Sequence, residues 1–66
     1  MAKREHLGVR LHRLRLERGL TMEVLAKRAG LTRQAISQIE RSGGAKASTI
    51  LPLAKALGVT VGDLLL

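Results

Sequence analysis

Five side chains in the stretch RQAISQIER, residues 33 to 41, could do chemistry together. Arg33, Gln34, Ser37, Gln38 and Arg41 are all polar and none is acidic. Wound as a helix at about 100° per residue, they fall within one arc of about 140°, and Ala35, Ile36, Ile39 and Glu40 occupy the rest. Such an arc suits hydrogen bonding to base edges in the DNA major groove. Arg pairs with guanine O6 and N7, Gln with adenine N6 and N7, and Ser with base edges or phosphate. The duller reading is a solvated face, but solvated faces more often mix Glu with Lys or Arg, and an arc free of acid would repel nothing on DNA.

The elements that position the arc are all helical. A first helix is expected from about Lys3 to Arg18, with Leu7, Leu11 and Leu14 at i, i+4 and i+7 and a stop at Gly19. Thr21 reads as the N-cap of a second helix with inner face Met22, Leu25, Ala26 and Ala29 and a stop at Gly30. Thr32 caps the third helix, which runs to about Arg41. Ser42 to Ala45 reads as a loop. A fourth helix is expected between about Ala47 and Leu57, ending at Gly58. Pro52 favours a late start with Ser48 or Thr49 as N-cap, because a proline deeper in a helix costs roughly 3 kcal/mol. Thr60 is a candidate cap for a short fifth helix carrying Val61, Leu64, Leu65 and Leu66. No stretch alternates as a strand would.

Composition narrows the partner. Sixty-six residues make one domain, 1–66, and a chain of that size buries only about 60% of its unfolded surface, which leaves little room for an enclosed active site. The net charge is +7, and residues 1 to 46 hold eleven of the twelve Lys and Arg. A basic domain of this kind meets a polyanion. No apolar run of signal-peptide or membrane-span length follows the basic start, so a soluble, cytoplasmic, nucleoid-associated chain without membrane contact is expected. The chain has no cysteine and no aromatic residue, which removes disulfides, thiolate metal sites and the stacking platforms of single-strand readers. Duplex DNA is the leading partner. His6 and His12 have no partner at metal-ligand spacing, so no metal and no cofactor is expected. The five carboxylates are scattered with no nucleophile and base signature, so no enzyme is expected either. Lys3, Arg4, Arg10, Arg13, Lys27 and Arg28 read as solvated charges.

Residues Met22 to Arg41, MEVLAKRAGLTRQAISQIER, resemble the twenty-residue helix-turn-helix of the Cro/phage-repressor (XRE) family of transcriptional regulators. The small residue where the two helices touch is Ala26, the turn glycine is Gly30, and the packing positions are Leu25, Leu31, Ile36 and Ile39. The likeness extends from LGVRLHRLRLERGLT through ISQIE to LAKALGVTVGDLL, nearly the whole chain. It implies an all-α, compact five-helix bundle of the phage-repressor type and a sequence-specific regulator of transcription, by default a repressor.

The resemblance also implies roles. Arg33, Gln34, Ser37 and Gln38 would contact bases, and Thr21, Met22, Thr32, Arg41, Ser42, Gly43 and Lys46 would contact the DNA backbone. Arg15 would form a structural ion pair with Glu40, in keeping with the positions of both on their helical wheels. Two departures stand out: Met22 replaces the Gln that usually opens the second helix and helps hold a phosphate, and RSGGAKAS replaces a loop that usually carries Pro-Ser. Backbone N–H groups at the start of the second helix remain available to phosphate. Family members pair through the C-terminal end, which makes Val61, Leu64, Leu65 and Leu66 the candidate homodimer surface. Two recognition helices would then lie about one DNA turn, roughly 34 Å, apart on a pseudo-palindromic operator. Val9, Leu16 and Val24 sit away from the inner faces of their helices. They read as scattered surface residues or as a patch for a protein partner, such as the toxin of a toxin–antitoxin pair. A protein-binding adaptor and a restriction-modification controller are further alternatives.

Overall fold

The computed structural model describes residues 6–65. Its order is α1 (Leu7–Glu17), α2 (Met22–Ala29), α3 (Arg33–Ser42), α4 (Ala47–Leu57) and α5 (Val61–Leu65). No strand occurs among the described residues, and no helix there is long and apolar enough to cross a membrane. The helices α1 and α2 pack on α3, α4 packs on α2 and α5, and α5 returns to α1. Leu11, Leu25, Ile36, Leu53 and Leu64 are fully enclosed at the centre, so every helix supplies one fully enclosed side chain to the core.

Local chemistry sets the ends of the helices. The hydroxyl Oγ1 of Thr21 accepts the Val24 N–H, and that of Thr32 accepts the Ala35 N–H, each at 3.1 Å. Each bond satisfies one of the N–H groups that a helix leaves unpaired at its start. Thr60 and Asp63 complete a reciprocal box at α5: Asp63 N–H donates to Thr60 Oγ1 at 3.0 Å, and Thr60 N–H donates to Asp63 Oδ2 at 3.1 Å. The Thr60 backbone N–H holds the Asp63 carboxyl below its ordinary value. At the other end of α2, Gly30 takes φ 70°, a left-handed conformation in which a Cβ is strained. Leu31 N–H then reaches back to Ala26 O at 2.8 Å and Gly30 N–H to Lys27 O at 3.3 Å, closing the turn that sends the chain into α3.

Four boundaries differ from those expected. The third helix runs through Ser42, expected in the loop, and stops at Gly43 in a left-handed conformation (φ 78°). The first helix starts at Leu7, not near Lys3, because His6 is extended (φ −61°, ψ 152°) and the apolar face of α1 begins with Leu7; residues 3 to 5 lie outside the described residues. It ends at Glu17, and the guanidinium of Arg18 turns to the Leu57 carbonyl at the end of α4. The fourth helix begins early, with Lys46 as N-cap and not Ser48 or Thr49, so Pro52 falls inside it. Proline has no N–H to offer the Ser48 carbonyl, and Ser48 is exposed, where water can replace that donor. The burial of Ile50, Leu53, Ala54 and Leu57 on one face outweighs the lost bond.

Gly8 is the tightest packing point. A Cβ built there would lie 2.5 Å from Ile39 O and 2.6 Å from Glu40 O, both backbone atoms. Only glycine lets α1 approach the end of α3 this closely. Gly8→Ala should therefore destabilise the domain by about 1–3 kcal/mol despite the better helix propensity of alanine. Gly62→Ala, whose nearest neighbour would be Thr60 Oγ1 at 3.7 Å, should be neutral or slightly stabilising. Paired urea melts check this contrast.

Candidate nucleic-acid interface

The turn at Gly30 and the cap at Thr32 aim α3 so that Ile36 and Ile39 enter the core. Arg33, Gln34, Gln38 and Arg41 then face solvent, while Ser37 is half-buried at the edge of the arc. Among the described residues, Arg33, Gln34 and Gln38 make no side-chain hydrogen bond or ion pair. Their donors and acceptors are available to an outside ligand.

A hollow flanks the arc on each side. One is lined by Val9, His12, Met22, Ser37, Glu40 and Arg41, between α1, the start of α2 and α3. The other lies between α3 and the start of α4, with Gln38 on one wall and Lys46 and Thr49 on the opposite one. The remaining backbone-contact candidates surround these hollows or cap the helices beside them. Thr21 and Thr32 are exposed caps, and Met22 is half-buried against the core, which leaves the start of α2 rather than a long polar side chain to meet an anion. Ser42 is exposed and its Oγ accepts the Gly44 N–H at 3.4 Å. Gly43 is half-buried, with the Cβ of His6 beside it. Lys46 is exposed at the N-cap of α4, where no side chain satisfies the first N–H groups.

Behind the arc, Arg15 and Glu40 meet out of water. Their side chains are 8% and 5% exposed, and Arg15 Nε donates to Glu40 Oε2 at 2.7 Å. Arg15 Nη2 donates to Glu40 Oε1 at 3.2 Å, and Nη1 donates to Leu20 O at 2.9 Å, so one guanidinium spans α1, the α1–α2 corner and α3. His12 is a third member that sequence reasoning missed: its Nδ1 lies 2.8 Å from Glu40 Oε1. The i, i+3 spacing of His12 and Arg15 on α1 was the available signal. Burial pushes the Glu40 carboxyl up, but hydrogen bonds from Arg15 and His12 and their charges more than offset it and hold it below the ordinary value.

The C-terminal leucines divide. Leu64 is 0% exposed and belongs to the core, which corrects its assignment to a dimer surface. Neighbouring residues on a helix point about 100° apart, so Leu64 turns inward while Leu65 stays 48% exposed and Val61 is half-buried. Leu66 lies outside the described residues. Leu51, 50% exposed on α4, is an apolar surface residue that sequence reasoning did not single out. Val9, Leu16 and Val24 are exposed as expected.

The helix-turn-helix family profile matches residues 11–64 of the chain. An uncharacterized HTH-type transcriptional regulator, y4dJ, of Sinorhizobium fredii is 39% identical over 61 residues, covering 91% of this chain and 79% of the relative. The restriction-modification controller protein C.AhdI from Aeromonas hydrophila superimposes with a TM-score of 0.85 at 37% identity, over 89% of this chain and 91% of that one. The P22 c2 repressor, solved in complex with a synthetic operator, gives a TM-score of 0.85 at 32% identity, over 94% and 96% of the two chains.

Glu40→Gln would leave the Arg15 guanidinium buried against a neutral amide, and should cost about 3–5 kcal/mol of stability near neutral pH. Because the folded carboxyl titrates below the ordinary value of 4.5, its stabilising contribution is complete above that pH and is lost as pH falls through the lower folded value. Urea melts over an acid series should show the wild type losing its advantage over the variant below about pH 4.5; equal slopes for the two would contradict the assignment.

Proposed function

The chain belongs to the helix-turn-helix family of DNA-binding transcriptional regulators, and we propose that it is a sequence-specific repressor that reads a pseudo-palindromic operator as a homodimer. The observation that carries this reading is the acid-free arc on α3, whose Arg33, Gln34 and Gln38 side chains face solvent with no internal partner among the described residues. In this reading α3 enters the major groove. Arg33, Gln34, Ser37 and Gln38 take the base edges, while Thr21, Met22, Thr32, Arg41, Ser42, Gly43 and Lys46 hold the sugar–phosphate strands. Occlusion of a promoter is then the direct consequence of binding. The fold and family are those of regulators and not of enzymes.

The homodimer would use the exposed Leu65 and half-buried Val61 of α5, with Leu51 of α4 as an added apolar contributor. A second reading has one observation in its favour. Val9, Leu16 and Val24 are 49%, 55% and 40% exposed, and apolar surface of this kind could meet a protein partner, as in an antitoxin that binds both DNA and a toxin. The likeness to C.AhdI makes a restriction-modification controller a variant of the first reading and not a rival to it.

Selection of bound sequences from a random duplex library tests the proposal, and should return two half-sites about one DNA turn apart. On the selected site, Gln34→Ala should cost about 1–3 kcal/mol and relax the preference at one position of each half-site. Lys46→Ala should weaken selected and random duplexes alike and lower the salt dependence by about one phosphate contact. Equal losses from both variants on both duplexes would remove the base-reading role from α3.

A further inference from the structure

The hollow on the α1 side of the recognition arc has a composition suited to one ligand. Val9 and Met22 give it apolar walls, Ser37 and Arg41 join it to the arc, and His12 and Glu40 lie at its base. The carboxylate is shut from water and answered by Arg15, so it does not repel an anion as an exposed acid would. Met22 is also the first residue of α2, where the helix dipole favours negative charge.

His12 is the exposed member, with 52% of its side chain accessible. Its Nδ1 lies 2.8 Å from Glu40 Oε1 and 3.2 Å from Arg15 Nη2. A guanidinium only donates, so the shorter contact is satisfied when Nδ1 carries the proton and gives it to the carboxylate. In the neutral ring the lone pair is then on Nε2, which has no hydrogen-bond partner among the described residues. A carboxylate that holds one ring nitrogen fixes the direction of the other.

Building on the DNA-binding reading, we infer that this hollow seats a backbone phosphodiester of the bound duplex, and that His12, oriented by Glu40, takes a proton from solvent on association and donates its Nε2–H to a phosphate oxygen. Val9 and Met22 then lie against the apolar deoxyribose, and Arg41 shares the phosphate charge. Protonation changes the Arg15, Glu40 and His12 group from net zero to +1, so binding gains one cation as it takes up one proton. The charged and titratable groups facing the ring are Glu40 and Arg41 from α3 and Arg15 from α1. His6, which borders the adjacent hollow with Glu40 and Arg41, is the group that could imitate the effect.

The experiment is a salt titration of Kd for the full chain on its selected duplex at about pH 6 and about pH 8, the range in which histidine changes charge. The wild type should bind about five- to tenfold tighter at the lower pH, with a log Kd against log salt slope steeper by about 0.9, one phosphate contact. Calorimetry in buffers of different ionisation enthalpy should record proton uptake by the unmodified chain. His12→Gln should behave at both pH values as the wild type does at the higher one, His12→Lys as the wild type does at the lower one, and His6→Gln should keep the wild-type response. A wild type that binds its duplex with no change in affinity, slope or proton count between the two pH values would overturn the inference while leaving the DNA reading intact. So would a response carried by His6 alone. Failure of the wild type to bind any duplex at either pH would instead remove the DNA reading, and this inference with it.

Discussion

A guanidinium and a carboxylate, both nearly shut off from water, hold the first and third helices of this domain in register. Desolvating two charges is costly, and the pair persists because each nitrogen of the Arg15 fork donates: Nε and Nη2 to Glu40, and Nη1 to the Leu20 carbonyl. That third bond matters for the architecture. It fixes the corner between α1 and α2, so a single side chain sets the mutual positions of α1, the start of α2 and the end of α3. The polar arc of α3 is the solvent side of this arrangement, and the hollow containing His12 is its margin.

Small size explains why such devices are needed. The core is built from Leu, Ile and Ala without a single aromatic ring, and a short chain encloses little apolar area. Two features offset this. The backbones of α1 and α3 come very close at Gly8, where a side chain would meet the Ile39 and Glu40 carbonyls, and Ala26, 3% exposed, places a small side chain in the core. Helix ends are satisfied by Thr21, Thr32, the Thr60 and Asp63 box, and Arg18 on the end of α4.

Much of the fold was readable from sequence because its signals are local. Threonine before an apolar period and glycine after it mark α2 and α3 to within a residue, and the wheel of α3 separates Ile36 and Ile39 from the polar arc. What sequence reading missed depends on contacts between distant segments. The role of Gly8 exists only because the carbonyls of Ile39 and Glu40 stand opposite, and the ring of His12 has a partner only because α3 brings Glu40 to α1. Helix 4 was misplaced at its start because the intrinsic penalty at Pro52 is local, whereas the burial that overrides it is tertiary. Leu64 was assigned outward by reading the terminal leucines as one surface, when the step of about 100° between neighbours on a helix buries Leu64 and leaves Leu65 exposed.

Arg33, Gln34 and Gln38 lean on nothing else in the domain, whereas Glu40, two residues beyond the last of them, is bound to α1 on every side. The same short helix therefore carries positions that evolution can exchange freely and a position it can hardly alter. Under the base-reading role proposed for these three side chains, a lineage built on this scaffold can drift from one target to another through substitutions on the solvent face of α3, and duplicated copies can part company in what they recognise long before they part company in shape.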